Sequence, residues 1–165
     1  MRRVLFAFAA VVAAAAVGGG AAGSGAGTRT GCTLRGAFPD ASCTPGAVFR
    51  SATKAKVCRR GYAKSVRNVP ESEKRAVFAE YGIAGTHHGG AYEVDHLISL
   101  ELGGSNAIAN LWPEPARPRP GFHEKDRVEN FLHREVCDGT ISLARAQRLV
   151  RSNWVGVFRR LARGS

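Results

Sequence analysis

The sequence Tyr92-Glu93-Val94-Asp95-His96-Leu97-Ile98 is followed by Leu102-Gly103-Gly104-Ser105-Asn106 and then by Asn110-Leu111-Trp112-Pro113. Apolar residues alternate in part from Tyr92 to Leu102, which predicts a strand that runs into a loop at Gly103-Gly104. A second short strand is expected near Asn110 to Trp112. The proline-rich stretch from Pro113 to Gly121 predicts a loop, because proline lacks a backbone N–H and does not fit inside a helix.

Three helices are predicted around this pair of strands. One covers Glu71 to Tyr81, begins after Pro70 and ends at Gly82. A second covers Glu124 to Cys137, where apolar residues lie on one helical face. The last begins after Ser142, a good N-cap residue, and buries Trp154. The order strand, loop, strand, helix, with flanking helices, predicts an α+β fold.

Residues 1–26 are typical of a secretory signal peptide. Arg2 and Arg3 precede an apolar run from Val4 to Val17, and small residues follow. A membrane anchor is the competing interpretation, but the run has about 14 residues and a spanning helix needs about 20. We therefore expect a secreted protein that has no stable association with the membrane after the signal is removed.

The four cysteines, an even number in a chain expected to be exported, predict two disulfides. Three pairings are open. We favour Cys32 with Cys43 and Cys58 with Cys137, because the second pair would tie the N-terminal segment to the C-terminal helices. A zinc site is the rival interpretation, but no two cysteines have C-x-x-C spacing. Residues 27–60 are thus expected to form an extended, turn-rich, disulfide-stapled segment before a main domain at 61–165.

The chain is strongly basic, with 24 Lys and Arg against 13 Asp and Glu and a formal net charge of +11. Without Arg2 and Arg3 the charge is still about +9. Such a charge attracts polyanions and makes nucleic acid a natural partner. Anionic cell-wall polymers and membrane surfaces are attracted as well, so charge indicates a class of partner and not a reaction.

The Asp95-His96 pair, the Gly103-Gly104 turn and the Asn110-Leu111-Trp112-Pro113 segment resemble the HNH (ββα-metal) endonuclease family, in particular its secreted members. The resemblance extends over about residues 38–154. It implies a small ββα-metal core with flanking helices, and an HNH-like nuclease domain at 61–165.

In that family the residue before the histidine binds a metal ion, so the resemblance implies Asp95 as metal ligand and His96 as general base. It implies that Asn110 braces the loop that orients this histidine, with Asn106 as the less favoured residue. The helix of the core would supply His123 as second ligand. One divalent ion is expected, with magnesium or manganese favoured and zinc or nickel left open.

Further residues near this centre have two interpretations each. Glu93 lies on the same side of the strand as Asp95, where it would orient a ligand or be an exposed carboxylate. Lys125, Arg127 and Arg134 would contact phosphates or be solvated charges. Other aromatic and histidine side chains are expected to play structural or surface roles: Trp112 and Trp154 in the core, His133 on a helix surface, and His87 and His88 in a glycine-rich surface loop.

The sequence therefore predicts a secreted, monomeric, metal-dependent endonuclease of low sequence specificity that acts on DNA rather than RNA. One alternative is an inactive HNH-like scaffold that binds DNA or anionic cell-wall polymers. A third hypothesis is an enzyme that acts on another cell-wall polymer.

Overall fold

The computed structural model describes residues 29–84 and 90–164. The predicted signal peptide and the pair His87 and His88 lie outside these residues. The described part is an α+β fold, as predicted, and its helices and strands are α1 (Lys54–Val57), α2 (Tyr62–Val66), α3 (Glu71–Glu80), β1 (Tyr92–His96), β2 (Leu111–Pro115), α4 (Phe122–Asp138) and α5 (Leu143–Arg163). No helix in the described ranges is both long enough and apolar enough to cross a membrane.

Strands β1 and β2 form a two-stranded antiparallel sheet in which His96 pairs with Leu111 and Tyr92 with Pro115. The expected loop from Pro113 is wrong at its start, because Pro113 and Pro115 belong to β2. Both prolines fit because hydrogen-bonded and non-hydrogen-bonded residue pairs alternate along an antiparallel ladder. The Leu97 N–H donates to the Asn110 carbonyl at 2.8 Å, so Leu97 and Asn110 form one of the hydrogen-bonded pairs. The prolines occupy the other positions, where no N–H is needed.

Strand β1 ends at His96, so the strand predicted as far as Leu102 is too long. Its last part is a loop and a 3₁₀ turn at Leu100–Leu102. The turn closes on Gly103, whose φ of +78° favours glycine. A Cβ on Gly104 would lie 1.6 Å from the carbonyl oxygen of Ile98, so only glycine allows this close approach. Apolar residues alternate here because the loop buries them, not because they form a strand.

The main core lies between α4 and α5, with the loop after β1 packed against both. Trp154 is fully buried there and its indole N–H donates to the Ala37 carbonyl (3.0 Å). Ser142 caps α5 as predicted, accepting from the Arg145 N–H at 3.2 Å. A smaller core joins the N-terminal segment to the sheet and contains fully buried Trp112. Both tryptophans are core residues, as expected.

Both predicted disulfides are confirmed, with the favoured pairing Cys32–Cys43 and Cys58–Cys137. The second bond links the end of α1 to α4. The N-terminal segment has isolated bridges and turns up to Thr53, and α1 then begins at Lys54. The Cys58–Cys137 bond therefore holds the end of this segment to α4, whereas Cys32–Cys43 closes a loop within the segment.

Candidate active site

A small polar cavity of about 190 Å³ lies between β1, the loop that follows it and α4. Its floor contains Asp95 and His96 from the end of β1. Most of the other polar side chains around it are acidic. The acidic side chains are Glu93 from β1, Glu101 from the 3₁₀ turn, and Asp126 and Glu129 from α4. Asn130 from α4 contributes an amide, and Arg67 after α2 contributes a positive charge.

His96 is held in one orientation by the loop amide of Asn106. The Nδ2 group of Asn106 donates to the Val66 carbonyl at 2.7 Å, which turns its Oδ1 toward Nε2 of His96 at 3.2 Å. Because an amide oxygen only accepts, Nε2 carries the proton and Nδ1 has the free lone pair. Burial lowers the pKa of His96, so the ring is neutral near pH 7 and Nδ1 is able to accept a proton.

Asn110 is fully buried and uses its whole side-chain amide to hold the loop after β1. Its Oδ1 accepts from the Ile98 N–H at 3.0 Å, and its Nδ2 donates to the carbonyls of Ile98 (2.9 Å) and Ser105 (2.8 Å). Oδ1 also accepts from the Ala47 N–H at 3.3 Å. This geometry is that of a loop brace, whereas Asn106 is the residue that touches the imidazole.

Lys125 does not lie on a phosphate-facing surface, and that expectation is wrong. The side chain is fully buried, and its Nζ donates to Asp95 Oδ2 at 2.5 Å and to the His96 carbonyl at 2.8 Å. It also donates to Glu129 and lies 3.6 Å from Glu114 Oε2. The ammonium group therefore joins α4 to both strands beneath the cavity.

The carboxyl groups around Lys125 are too many for one cation to neutralise. Burial, together with the charges of Asp95 and Asp126, raises the pKa of Glu93 to about 7. Burial likewise raises the pKa of Glu129 to about 8 and that of Asp126 above its usual range. Burial opposes ionisation of Asp95 too, but Lys125 and nearby hydrogen bonds outweigh it and lower its pKa. The cavity thus holds more carboxyl groups than Lys125 neutralises, so some of them stay protonated near pH 7, and a further cation would favour their ionised form.

The face of α4 that reaches the cavity carries Asp126, Glu129 and Asn130, at spacings of three and four residues. His123 is exposed, about one turn toward the N-terminus from Asp126, and its ring packs on that of Phe122 at a centroid distance of 4.3 Å. The structure does not place His123 among the residues that line the cavity with Asp95. Sequence reasoning missed Asp126 and Asn130, although their spacing on a predicted helix was the available signal.

Around the cavity, in the part of the chain that the structure describes, no three carboxylate or imidazole ligand atoms lie within 4.8 Å of one another, so the oxygen donors there are not assembled as a metal site. Carboxylate and amide oxygens from Asp95, Asp126 and Asn130 are the ligand type that magnesium and manganese prefer. Ser99 also lines the cavity, and its buried Oγ has no hydrogen-bond partner in the protein. A buried hydroxyl of this kind needs a partner, which a metal-bound water would provide.

A second group of metal-ligand types lies further along α4, toward the C-terminal end of the helix. One ligand atom each from Cys58, His133 and Cys137 lies within 4.8 Å of the others, so this group can hold a metal ion such as zinc. The two sulfurs form a disulfide, and the thiolate is the ligand form of cysteine, so binding first requires reduction of that bond. His133 is half-buried, not a plain surface residue, and its Nε2 lies 3.0 Å from the Val57 carbonyl.

The other two predicted phosphate contacts, Arg127 and Arg134, are exposed on α4. Arg127 lies over the Phe158 ring, 5.5 Å from its centroid, which places it against α5. Neither residue lines the cavity that contains His96. Their contact with nucleic acid stays a prediction.

Comparisons of the chain with models of protein families, with curated proteins and with solved structures gave no match. The case for a function therefore depends on the geometry of the cavity and on the sequence motif.

Proposed function

We propose that this protein is a secreted, metal-dependent endonuclease of the HNH type, which hydrolyses phosphodiester bonds in nucleic acid. The observation that carries the proposal is the position of His96, which presents a neutral imidazole with a free Nδ1 inside a cavity of excess carboxylates. The chain order β1, β2, α4, in which β1 and α4 line that cavity, supports the ββα-metal arrangement implied by the sequence resemblance.

In this proposal His96 takes a proton from the attacking water at Nδ1, and Asn106 keeps the ring in the tautomer that this requires. Asp95 and Asp126 would hold the divalent ion, with Asn130 as a further oxygen donor. The bound ion would supply positive charge for the pentavalent phosphorus centre and for the leaving oxygen. Glu93, on the same side of β1 as Asp95, would hold a water near the ion.

Export agrees with the two disulfides, which are typical of extracellular proteins. The excess of basic residues favours a polyanionic substrate, and we propose DNA rather than RNA, cleaved with low sequence specificity by a monomer. Magnesium or manganese would be the cofactor, because the donors around the cavity are oxygen atoms.

The proposal is tested by cleavage of labelled DNA and RNA with magnesium, manganese, zinc or nickel, and with EDTA. We expect cleavage that EDTA abolishes and that added magnesium or manganese restores. Asp126→Asn should reduce cleavage by about 100-fold through loss of a metal ligand, whereas His123→Ala should change it by less than about threefold. Absence of cleavage with every ion, or the reverse ranking of the two variants, would contradict this assignment.

One observation favours a second function, that of a nuclease-like scaffold that binds DNA or anionic wall polymers without cleaving them. The Lys125 ammonium already neutralises one oxygen of Asp95, so the site contains a built-in cation. Under this alternative the protein binds DNA in a salt-sensitive way and no divalent ion elicits cleavage. The cleavage experiment above separates the two functions.

A further inference from the structure

A groove of about 1020 Å³ lies between α3 and β1, beside the cavity that contains His96. This volume is at the upper end of the roughly 300–1,000 Å³ typical of pockets for small molecules. The groove is therefore large enough for a segment of a polymer. Its walls come from α3, from the residues just before and after that helix, and from β1.

The groove continues into the candidate active site. Arg67, Glu93 and His96 line both the groove and the smaller cavity. A chain that lay along the groove would therefore pass Arg67 and reach the imidazole of His96. Because of this continuity, the groove is positioned to guide a substrate to His96.

Basic side chains line the groove on the side of α3. Lys74 and Arg75 lie on this helix, and Arg67 lies before it. Glu71 pairs with Lys74 at 2.6 Å, but such a solvent-exposed pair is weak and leaves the ammonium group available to a phosphate. Glu93 also lines the groove, so its three cations exceed its two carboxyl groups by one. Arginine fits phosphate oxygens well, because its planar guanidinium donates two parallel hydrogen bonds.

Apolar side chains form the rest of the groove, among them Val69, Phe78 and Ile83. A DNA duplex presents mainly phosphates and sugars to a groove of this kind, because its bases are stacked inside. An unpaired strand exposes its base faces, and those faces gain stability by packing on apolar and aromatic side chains. The combination of basic and apolar walls therefore fits an unpaired strand better than a duplex.

We propose that the groove between α3 and β1 binds an unpaired strand of nucleic acid, with its phosphates on Arg67, Lys74 and Arg75 and its bases on the apolar wall. The strand then delivers its scissile phosphate to His96. The inference rests on the proposed function, because it takes nucleic acid as the substrate. It adds that single-stranded regions are preferred.

The test is a binding measurement in EDTA, where no cleavage occurs, with a fluorescent single-stranded DNA oligonucleotide at several salt concentrations. Lys74→Ala/Arg75→Ala removes two groove charges, one at a half-buried and one at an exposed position on α3, and leaves good helix formers. Arg148→Ala/Arg159→Ala removes two exposed charges from α5 and is the matched control. We expect the groove variant to bind about tenfold more weakly, with a salt slope reduced by about 1.4, and the control to change by less than about twofold.

Further probes test the preference for an unpaired strand. A duplex of the same length and an abasic strand should each bind about tenfold more weakly than the intact single strand, because neither offers exposed bases to the apolar wall. A single-stranded RNA of the same sequence shows whether the sugar is discriminated, and tight binding of either strand supports the inference. Equal weakening in the groove and control variants, or equal binding of the duplex or the abasic strand, would overturn it.

Failure of this inference and failure of the proposed function give different results. If the wild-type protein cleaves DNA but the groove variant binds the single strand normally, the groove assignment is wrong and the nuclease proposal survives. If the groove variant alone loses binding but no divalent ion elicits cleavage, the strand-binding groove stands and the nuclease proposal falls.

Discussion

Lys125 shows how one buried side chain organises the centre of this protein. Its ammonium group contacts Asp95 and Glu129, lies near Glu114 and donates to the backbone carbonyl of His96. Burial disfavours a charged amine, but the surrounding carboxylates outweigh this effect and raise the pKa of Lys125 well above its usual value. The buried ammonium group therefore fixes the positions of Asp95, the proposed metal ligand, and His96, the proposed general base.

Replacing Lys125 should lower the free energy of unfolding substantially. Lys125→Met leaves the buried carboxyl groups without their cation, and the free energy of unfolding should fall by about 3–5 kcal/mol. The measurement is urea denaturation, with Lys64→Met at an exposed position as the control. Lys125→Met/Glu129→Gln should regain part of the loss, because it removes one of the repelling carboxyl groups. A loss below about 1 kcal/mol for Lys125→Met would contradict this role.

Asp95 and His96 could be placed in this centre from the sequence, whereas the buried position of Lys125 could not. Asp95 and His96 are adjacent in the chain, so the motif could place them together. Glu129 is 4 residues from Lys125 on the same helix, a spacing that the sequence shows. Asp95 is 30 residues away, and only the tertiary fold brings it to Lys125. Without that contact, a lysine on a predicted helix is expected at the surface, and this is why the burial of Lys125 was not predicted.

Among the elements, the N-terminal segment is held by a hydrogen-bonded turn at Asp40. Its carboxylate accepts from the Ser42 hydroxyl at 2.7 Å and from the Ser42 N–H at 3.0 Å. Thr33 also donates to it, at 3.3 Å from the hydroxyl. These hydrogen bonds, with the Ser42 hydroxyl first, lower the pKa of Asp40 from 3.8 to about 2.

The lowered pKa of Asp40 predicts a contribution to stability that depends on pH. Because the folded pKa is below the unfolded one, the carboxylate stabilises the fold above about pH 4 and loses this effect as the pH falls toward 2. The difference in unfolding free energy between the wild type and Asp40→Asn, measured from pH 6 to pH 2, should therefore shrink over that interval. A difference that stays constant over the whole range would show that the carboxylate is not held as described.

The three longer helices were easier to predict than the strands, whereas α1 and α2 were not predicted and α1 interrupts the segment expected to be extended. Periodic apolar residues located α3, α4 and α5 to within a few residues, except for the long continuation of α5 to Arg163. Strand β1 was predicted too long, because the loop at 97–102 buries its apolar residues with a strand-like pattern. Strand β2 was predicted too short, because prolines normally break a sheet and the register that accommodates them is not visible in a sequence.

Across the chain, the two disulfides close loops of very different length. Cys58 and Cys137 are separated by 79 residues, whereas Cys32 and Cys43 are separated by 11. Because a crosslink restricts the unfolded chain more when its loop is longer, the long-range bond should be the more stabilising of the two. It also connects the end of α1 to α4, which carries Asp126.

The loss of unfolding free energy on removing each disulfide should follow this order. Cys58→Ala/Cys137→Ala should lose about 4.5 kcal/mol of unfolding free energy and Cys32→Ala/Cys43→Ala about 2.8 kcal/mol. Chemical denaturation of the two double variants beside the wild type provides the measurement. A larger loss from the short loop would mean that packing around Cys32 and Cys43, and not loop closure, dominates.

The proposed endonuclease activity depends most on the free Nδ1 of His96 inside the acidic cavity. The direct measurement is the single-turnover rate of cleavage of a single-stranded DNA by His96→Ala beside the wild type, in magnesium or manganese, with circular dichroism to confirm that both are folded. A rate lower by about 100-fold or more in the variant is predicted for loss of a general base. Equal rates for the two proteins would contradict the account.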